Sequence, residues 1–321
     1  MEKPLVDEFC HQPVLLEEVL SSLKPRSDGR YLDGTLGGAG HATAILDQSS
    51  PNGWLWGCDQ DADAIEAARA RLNDRFAGRF EIRQCSFADI GDWVPERSCD
   101  GVLLDLGVSS PQLDRAARGF SFQKEGPLDM RMDRRNPATA ESLVNETDAQ
   151  ELAQIFWEYG GERDSRRIAR AIVRAREERR IETTRQLAEV IEREVPRRGQ
   201  RAHPATKVFQ ALRIAVNDEI EVLRRGLAAC WKVVKPEGIL AVITFHSLED
   251  RMVKDFGRAL ASDYKAAGKM DVPELREPKQ PELRWVSRKA IRASDHELSG
   301  NPRARSAQLR VMQKIEAKNQ D

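Results

Sequence analysis

A glycine-rich segment is the part of this chain best suited to binding chemistry. Residues Asp33–His41 include Gly38 and Gly40 and lie between a predicted strand and a predicted helix. Glycines let a backbone approach a ligand closely, and the first turn of a helix offers unpaired N–H groups to an anion. A dinucleotide pyrophosphate and the carboxylate of a methionine moiety would both suit this arrangement. The third glycine of the G-x-G-x-x-G fingerprint is missing after Gly40, which argues against NAD.

Three further residues follow predicted strands and could face the same ligand. Asp59 stands about as far beyond the glycines as an acid that binds ribose hydroxyls, although it could instead cap the next helix. Phe87 could stack on adenine or belong to the core. Asp105 ends a segment apolar enough to be buried, where an unpaired carboxylate is costly. Because carboxyl ends of strands line the ligand crevice in open sheets, we predict a functional role for Asp105.

The order of the predicted elements indicates how these residues are positioned. Near-continuous apolar strands alternate with helices up to about residue 106, which indicates a parallel, doubly wound sheet. From about residue 115 to 205 we find helices and no convincing strand. We therefore predict an α/β, Rossmann-like fold with a mostly parallel sheet and an inserted all-helical domain. Residues 1–115 and 205–321 would form the cofactor-binding core, and residues 116–204 would form the insertion for substrate recognition.

Hydrophobic periodicity predicts the individual elements. The predicted strands are Arg30–Asp33, Trp54–Asp59, Phe80–Cys85, Gly101–Leu106 and Ile239–Phe245, with further candidates within Leu283–Ile291 and Ser306–Gln313. The predicted helices are Pro13–Leu23, Ala62–Phe76, Asp148–Tyr159, Arg163–Arg180, Thr184–Val195 and one long helix from about Ala205 to Val234. A turn is predicted at Lys235–Gly238.

Composition restricts the class of protein. The five cysteines are scattered and the five histidines show no metal-ligand spacing, so we expect neither a disulfide framework nor a bound metal. No segment approaches the roughly 18 apolar residues of a membrane span. These features predict a soluble, cytoplasmic protein that does not contact membranes.

A local excess of arginine offers a site for nucleic acid, although the chain as a whole carries a net charge of −1. Residues 160–210 contain 13 arginines and one lysine against eight acidic residues. Five of the arginines belong to one predicted helix, and their spacing places most of them on one side of it: Arg163, Arg166, Arg167, Arg170 and Arg174. They could bind phosphates, or they could pair with acidic neighbours on a solvated face. The basic segments 197–201 and 303–305 add to the first interpretation.

Seven local motifs, taken in order along the chain, resemble a single family. The motifs are His11–Leu16, Asp33–His41, Asp105–Asp114, Arg118–Phe122, Gly126–Asp133, Phe245–Arg251 and Asn301–Ser306. They resemble the bacterial small-subunit ribosomal RNA cytosine-N4 methyltransferases over nearly the whole chain. The resemblance implies a class I methyltransferase fold and S-adenosylmethionine as the cofactor. It also implies a cytidine in the decoding region of 16S rRNA as the target, within the small ribosomal subunit rather than in DNA.

The resemblance and the strand-end reasoning together predict the cofactor-binding residues. They are Gly38, Ala39, Gly40, His41, Asp59, Phe87, Asp105 and Gln112. Gln112 is predicted from the resemblance alone.

Methylation of a cytosine amine needs hydrogen-bond acceptors beside the cofactor. The lone pair of the amine is delocalised into the ring, so the enzyme must hold the amine near the methyl group and accept its hydrogens. We predict that Asp105 and Ser110 are catalytic, although Ser110 could belong to a Ser-Pro turn with Gln112 on the surface. No Pro-Cys pair is present, which argues against methylation at cytosine C5. His246 could face the cleft, but a hydrogen-bonded structural role suits it better.

Three other functions are compatible with parts of the pattern. A nicotinamide-dependent oxidoreductase would share the core. A ribosome-assembly factor could retain the cofactor fold without catalysis. A DNA amine methyltransferase would differ only in its substrate.

Overall fold

The computed structural model describes residues 13–195, 203–266 and 273–316. Its strands are β1 (Arg30–Asp33), β2 (Trp54–Asp59), β3 (Phe80–Gln84), β4 (Cys99–Asp105), β5 (Val234–Thr244), β6 (Tyr264–Ala266), β7 (Arg276–Pro278), β8 (Leu283–Trp285) and β9 (Gln308–Lys314). Its helices are α1 (Leu16–Leu23), α2 (Gly40–Gln48), α3 (Ala62–Phe76), α4 (Ser110–Asp114), α5 (Ala140–Glu146), α6 (Ala149–Gly160), α7 (Ser165–Glu178), α8 (Thr184–Glu194), α9 (Ala205–Val216), α10 (Glu219–Val233), α11 (Ser247–Ala261) and α12 (Asp295–Gly300).

Seven strands form one mixed sheet in the order β3-β2-β1-β4-β5-β9-β8. Strands β1 to β5 run parallel to one another, whereas β9 runs antiparallel to both β5 and β8. The strand order reverses between β1 and β4, and ligands bind at the carboxyl ends of strands beside such a reversal. The predicted Rossmann-like, mostly parallel fold is confirmed.

The middle of strand β4, Val102–Leu104, shows why the central part of a core strand is apolar. Leu103 packs in the cluster on one face of the sheet, with Tyr31 and Ile243. Val102 and Leu104 pack in the cluster on the other face. Both faces are therefore covered, and a strand buried on both sides has no position for an alternating polar residue.

Residues 108–221 form a second compact unit, separate from the unit made of residues 1–107 and 222–321. Its described residues contain helices and one isolated bridge between Pro127 and Thr183. Helix α9 belongs to this unit because Val208 and Leu212 pack in its core with Phe156 of α6. The unit boundaries therefore differ from the predicted boundaries at 115/116 and 204/205.

The prediction of one long helix over residues 205–234 is wrong. Helix α9 ends at Val216, and α10 begins at Glu219 after Asp218 adopts a left-handed φ of 48°. The Asn217 side chain accepts a hydrogen bond from Met132 N at 2.7 Å and donates one to Met130 O at 2.8 Å. The helix breaks where this side chain binds a distant loop of the same unit.

The predicted turn at Lys235–Gly238 lies inside β5. Strand pairing moves from Cys99–Val234 to Gly101–Ile239, so extra residues of β5 bulge at Glu237, which has a φ of 61°. Two further strand candidates are predicted near the end of the chain. The first, residues 283–291, contains the short strand β8, and β9 covers most of the second, residues 306–313. Among the described residues, no helix has both the length and the apolarity needed to cross a bilayer.

Candidate active site

The carboxyl ends of three adjacent parallel strands each carry an aspartate. Asp33, Asp59 and Asp105 are the last residues of β1, β2 and β4. Because β1 lies between β2 and β4, the three residues stand in a row at one edge of the sheet. The glycine-rich loop, residues 34–39, leaves β1 at this edge and leads into α2.

Hydrogen bonds to both neighbouring strands hold the glycine-rich loop. Gly34 N donates to Leu103 O of β4 at 2.9 Å, and Gly37 N donates to Asp59 Oδ2 at 2.8 Å. Gly37 and Ala39 have left-handed φ values of 49° and 58°, and this conformation is unusual for alanine. The loop is therefore fixed in a defined shape over the strand ends.

The N-terminus of α2 is suited to binding an anion. Ala39, the N-cap, makes no side-chain capping hydrogen bond, and N–H groups in a first helical turn have no acceptor inside the helix. A Cβ atom on Gly40 would lie 2.5 Å from Pro13 Cγ, so a side chain there would require Pro13 to move. These N–H groups suit the carboxylate of a methionine moiety.

Asp59 is not the cap of helix α3. Its Oδ1 accepts a hydrogen bond from Asp61 N at 2.9 Å, while the Asp61 side chain caps α3 by accepting one from Asp63 N. Each carboxylate oxygen has two lone pairs, so Asp59 keeps acceptor capacity for ribose hydroxyls after binding Asp61 N and Gly37 N. Burial raises the pKa of Asp59 to about 6.

Asp33 is a site residue that the sequence reasoning missed. Its side chain is 1% exposed, and its Oδ1 accepts a hydrogen bond from Thr35 N at 3.1 Å. Burial, together with the charge of Asp59, raises the pKa of Asp33 to about 7. Its place at the end of a buried strand was the available signal, because the same argument selected Asp105.

Asp105 is held beside the loop and keeps one oxygen available. Its backbone N–H donates to Thr35 Oγ1 at 2.6 Å. Its side chain is 25% exposed, yet Oδ1 is buried and has no hydrogen-bond partner within the described part of the chain. Burial, with the charges of Asp33 and Glu249, raises the pKa of Asp105 well above its usual value.

His41 is buried against the same carboxyl group in its neutral form. Its Nε2 lies 3.0 Å from Val14 O, and its Nδ1 lies 3.8 Å from Asp105 Oδ2. Burial lowers the pKa of His41 to about 4. Because a carbonyl can only accept, Nε2 carries the proton and Nδ1 is left as an acceptor. His41 therefore does not neutralise Asp105 with a positive charge at pH 7.

Glu249 is a fourth buried acid that the sequence reasoning did not select. It lies in the first turn of α11, and its Oε2 accepts hydrogen bonds from Phe245 N at 2.8 Å and His246 N at 3.2 Å. His246 is the N-cap of α11, where its side chain accepts from Glu249 N. The structural interpretation of His246 is confirmed. Glu249 adds negative charge near Asp105.

Phe87 lies in the core beside two glycines. Its side chain is 8% exposed and belongs to the cluster under the sheet. A Cβ atom on Gly226 of α10 would lie 2.2 Å from the Phe87 ring, and one on Gly34 would lie 3.0 Å from Phe87 Cβ. Most of the Phe87 side chain is therefore packed in the core, as the second interpretation predicts. Stacking of its ring on adenine stays a prediction.

Ser110 and Gln112 lie in α4 of the second unit. Ser110 is its first residue, and Gln112 Oε1 accepts a hydrogen bond from Ser109 N at 3.0 Å as part of a capping box. Gln112 is buried, so the alternative that placed it on the surface of a turn is wrong. The cofactor contact of Gln112 and the catalytic role of Ser110 stay predictions.

The residues at the strand ends fit S-adenosylmethionine. This molecule carries a carboxylate, an ammonium and a sulfonium beside an adenosine. The N-terminus of α2 suits the carboxylate, and a row of buried acids suits the two positive charges. The unpartnered Asp105 Oδ1 is an acceptor that a ligand group would satisfy.

Comparison with known proteins agrees with this fit. The family model described as "MraW methylase family" matches residues 8–315. A protein of Citrifermentans bemidjiense named "Ribosomal RNA small subunit methyltransferase H" is 49% identical over 97% of this chain and 100% of its own length. A protein of Symbiobacterium thermophilum with the same name is 48% identical over 96% of this chain and 98% of its own. The first motif, His11–Leu16, falls partly outside the described residues.

Membership of a methylase family argues against a nicotinamide-dependent oxidoreductase, as the missing third glycine already did. The sheet order, the glycine-rich loop and the length of chain that the family model matches all support the same family. The protein belongs to the MraW methylase family and is a class I methyltransferase that uses S-adenosylmethionine.

Proposed function

We propose that the protein transfers a methyl group from S-adenosylmethionine to N4 of a cytidine in the decoding region of 16S rRNA. The observation that carries the proposal is the row of strand-end acids beside the uncapped N-terminus of α2. The name shared by the curated relatives supports small-subunit rRNA as the substrate. The motif resemblance supports the base and the atom.

The protein contributes binding, orientation and a proton acceptor. When bound, S-adenosylmethionine supplies an electrophilic methyl group on its sulfonium. The N-terminus of α2 would hold the methionine carboxylate, and Asp59 would hold the ribose. Asp105 Oδ1 would accept one N4 hydrogen, which turns the amine lone pair toward the methyl group. A carboxylate with a raised pKa is the stronger base, so Asp105 suits the proton that N4 must lose.

The second unit, residues 108–221, would recognise the RNA. It contains Ser110, our second proposed acceptor for the amine, together with the arginine-rich helix α7. We propose that the substrate is the small ribosomal subunit, that the protein acts in the cytoplasm, and that it has no role on DNA or membranes. The basic segment 197–201 falls outside the described residues.

Nucleoside analysis of rRNA by mass spectrometry tests the proposal. We expect N4-methylcytidine to be absent from 16S rRNA of a strain lacking the protein and restored by the purified protein with S-adenosylmethionine. Equal amounts of this nucleoside in both strains would contradict the proposal. Tight cofactor binding without methyl transfer to deletion-strain subunits would favour the assembly-factor alternative, and transfer to DNA would favour the DNA methyltransferase.

A further inference from the structure

Helix α7 presents a row of arginines opposite its buried side. Ile168 and Ile172 are fully buried in the helical core. Five exposed arginines lie opposite this buried side: Arg163 in the turn before α7, and Arg166, Arg167, Arg170 and Arg174 on the helix itself.

Within the described residues, two of the five arginines form an ion pair with an acidic residue. Arg167 and Arg174 pair with Glu194 of α8 at 2.8 and 3.3 Å. For Arg163, Arg166 and Arg170, the described part of the chain offers no carboxylate within 4.0 Å. The Arg170 side chain donates to Arg166 O, which carries no full charge. Glu194 also attracts Arg170 over a longer distance, so the alternative of a face neutralised by ion pairs accounts for only part of the charge on these arginines.

An exposed tryptophan lies at the same end of this helical hairpin. Trp157 of α6 is 59% exposed, and it is the one exposed large hydrophobic residue of the second unit within the described chain. Helices α6 and α7 pack together and are joined by residues 161–164, so they run antiparallel. Trp157 is one turn before the end of α6, and Arg163 and Arg166 stand at the start of α7.

We propose that Trp157, Arg163, Arg166 and Arg170, here called the hairpin face, bind a single-stranded segment of the RNA substrate. The arginines would contact phosphates, and the Trp157 ring would stack on a base. Proteins that bind single strands combine cationic grooves with aromatic side chains in this way. The proposal rests on the proposed function, because it assigns the surface that holds that substrate.

The charge of the face favours RNA over a protein partner. Arg163, Arg166 and Arg170 have no carboxylate within 4.0 Å in the described chain, so their neighbouring guanidinium groups repel one another, and phosphates would relieve that repulsion. A protein partner would instead be expected to cover a larger apolar patch, and Trp157 stands alone in this respect. An acidic protein is the alternative occupant and would be revealed by an unchanged affinity for RNA in the variants.

The test compares two variants with a matched control. The first variant, R163Q/R166Q/R170Q, removes the three unpaired charges, and the second, W157A, removes the ring. The control, R180Q/R185Q/R193Q, removes three charges that pair with Glu141, Glu125 and Glu189 in the same unit. Each protein is assayed for binding and methylation of small subunits purified from a strain lacking the protein.

We expect the first variant to raise the KM for subunits at least tenfold at about 0.1 M salt, with kcat retained at saturation. In a plot of the logarithm of subunit affinity against the logarithm of salt concentration, the slope for this variant should be shallower by about 2. Each single-strand phosphate contact contributes about 0.7 to that slope. W157A should lose about tenfold in affinity with an unchanged salt slope, because stacking carries no net charge. W157F should recover part of that loss, and the control should resemble the wild type.

Binding of S-adenosylhomocysteine separates the possible failures. It should be unchanged in every variant, which also shows that each is folded. If the wild type methylates subunits while both hairpin-face variants match its KM and salt slope, the hairpin face is overturned and the proposed function stands. If the control loses as much affinity for subunits as the first variant, the effect comes from net charge alone. That result would also overturn the assignment of the hairpin face. If the wild type binds subunits without methylating them, the proposed function fails, and the binding data still decide the hairpin face.

Discussion

Asp33, Asp59 and Asp105 hold protons at pH values where aspartate is normally ionised. Burial is the main cause of all three raised pKa values, and the charges of neighbouring acids add to it in each case. A ligand that brings positive charge to these strand ends would favour the ionised forms. Cofactor affinity should therefore rise as pH increases through about 6 to 7, where Asp59 and Asp33 ionise in the ligand-free protein.

Replacing Asp59 should weaken cofactor binding. D59A removes the acceptor for the ribose and the bond to Gly37 N, and a hydrogen bond to a charged group contributes about 1.5–3 kcal/mol. We expect S-adenosylhomocysteine to bind roughly 10- to 100-fold more weakly by calorimetry. D59N keeps one acceptor oxygen and should lose less affinity for S-adenosylhomocysteine. D74A, on the exposed side of α3, should bind it as tightly as the wild type. Equal affinity of D59A and the wild type would leave Asp59 without a role in binding.

The raised pKa of Asp33 predicts how stability changes with pH. Between about pH 4 and 7 the folded chain keeps a proton on Asp33 that the unfolded chain releases. The free energy of unfolding should therefore fall as pH rises, by up to about 1.4 kcal/mol per pH unit for this group. D33N removes the titration and leaves an oxygen for Thr35 N, so its urea-unfolding free energy should fall less steeply and exceed that of the wild type at pH 8. The exposed D74N is the control, and parallel pH curves for D33N and the wild type would contradict the argument.

At the scale of elements, α10 is placed by the contact between Gly226 and the ring of Phe87. G226A would put a methyl group 2.2 Å from that ring. Overpacking costs about 1–3 kcal/mol, whereas the better helix propensity of alanine returns up to about 1 kcal/mol. We expect a net loss of about 1 kcal/mol in the free energy of unfolding. It should be accompanied by weaker binding of S-adenosylhomocysteine as Phe87 shifts.

Gly91 provides the control for G226A. It lies in the short 3-10 helix that begins at Phe87, and a Cβ atom there would meet nothing within 4 Å. Urea unfolding of G91A should match the wild type. If G226A were as stable as G91A and bound the cofactor equally well, the contact between α10 and Phe87 would not position the site.

At the scale of the whole molecule, the cofactor site and the hairpin face belong to different compact units. A ligand at 100 times its Kd stabilises the state that binds it by about 2.7 kcal/mol. Saturation with S-adenosylhomocysteine should therefore slow hydrogen exchange up to about 100-fold in β1, β2, β4 and α2. Mass spectrometry of peptides measures this. Protection confined to residues 108–221 would contradict the assignment of the cofactor to the strand ends.

The sequence by itself determined the features that depend on neighbouring residues. The run Gly101–Leu104 has no polar position, which favours a strand covered on both faces, and the strand–helix alternation then indicates a parallel sheet. The glycine-rich loop is equally local, because its residues supply both the turn and the helix N-terminus. For this reason the strands, the fold class and the strand-end position of Asp59 and Asp105 were predictable.

Only the tertiary structure decided the features that join distant segments. Asn217 breaks a helix because it binds the backbone of Met130 and Met132, more than 80 residues away, and nothing in the periodicity of residues 205–234 records that contact. Glu249 joined the site for the same kind of reason. Its charge matters only because folding brings it near Asp105, and this proximity has no local signature in a sequence.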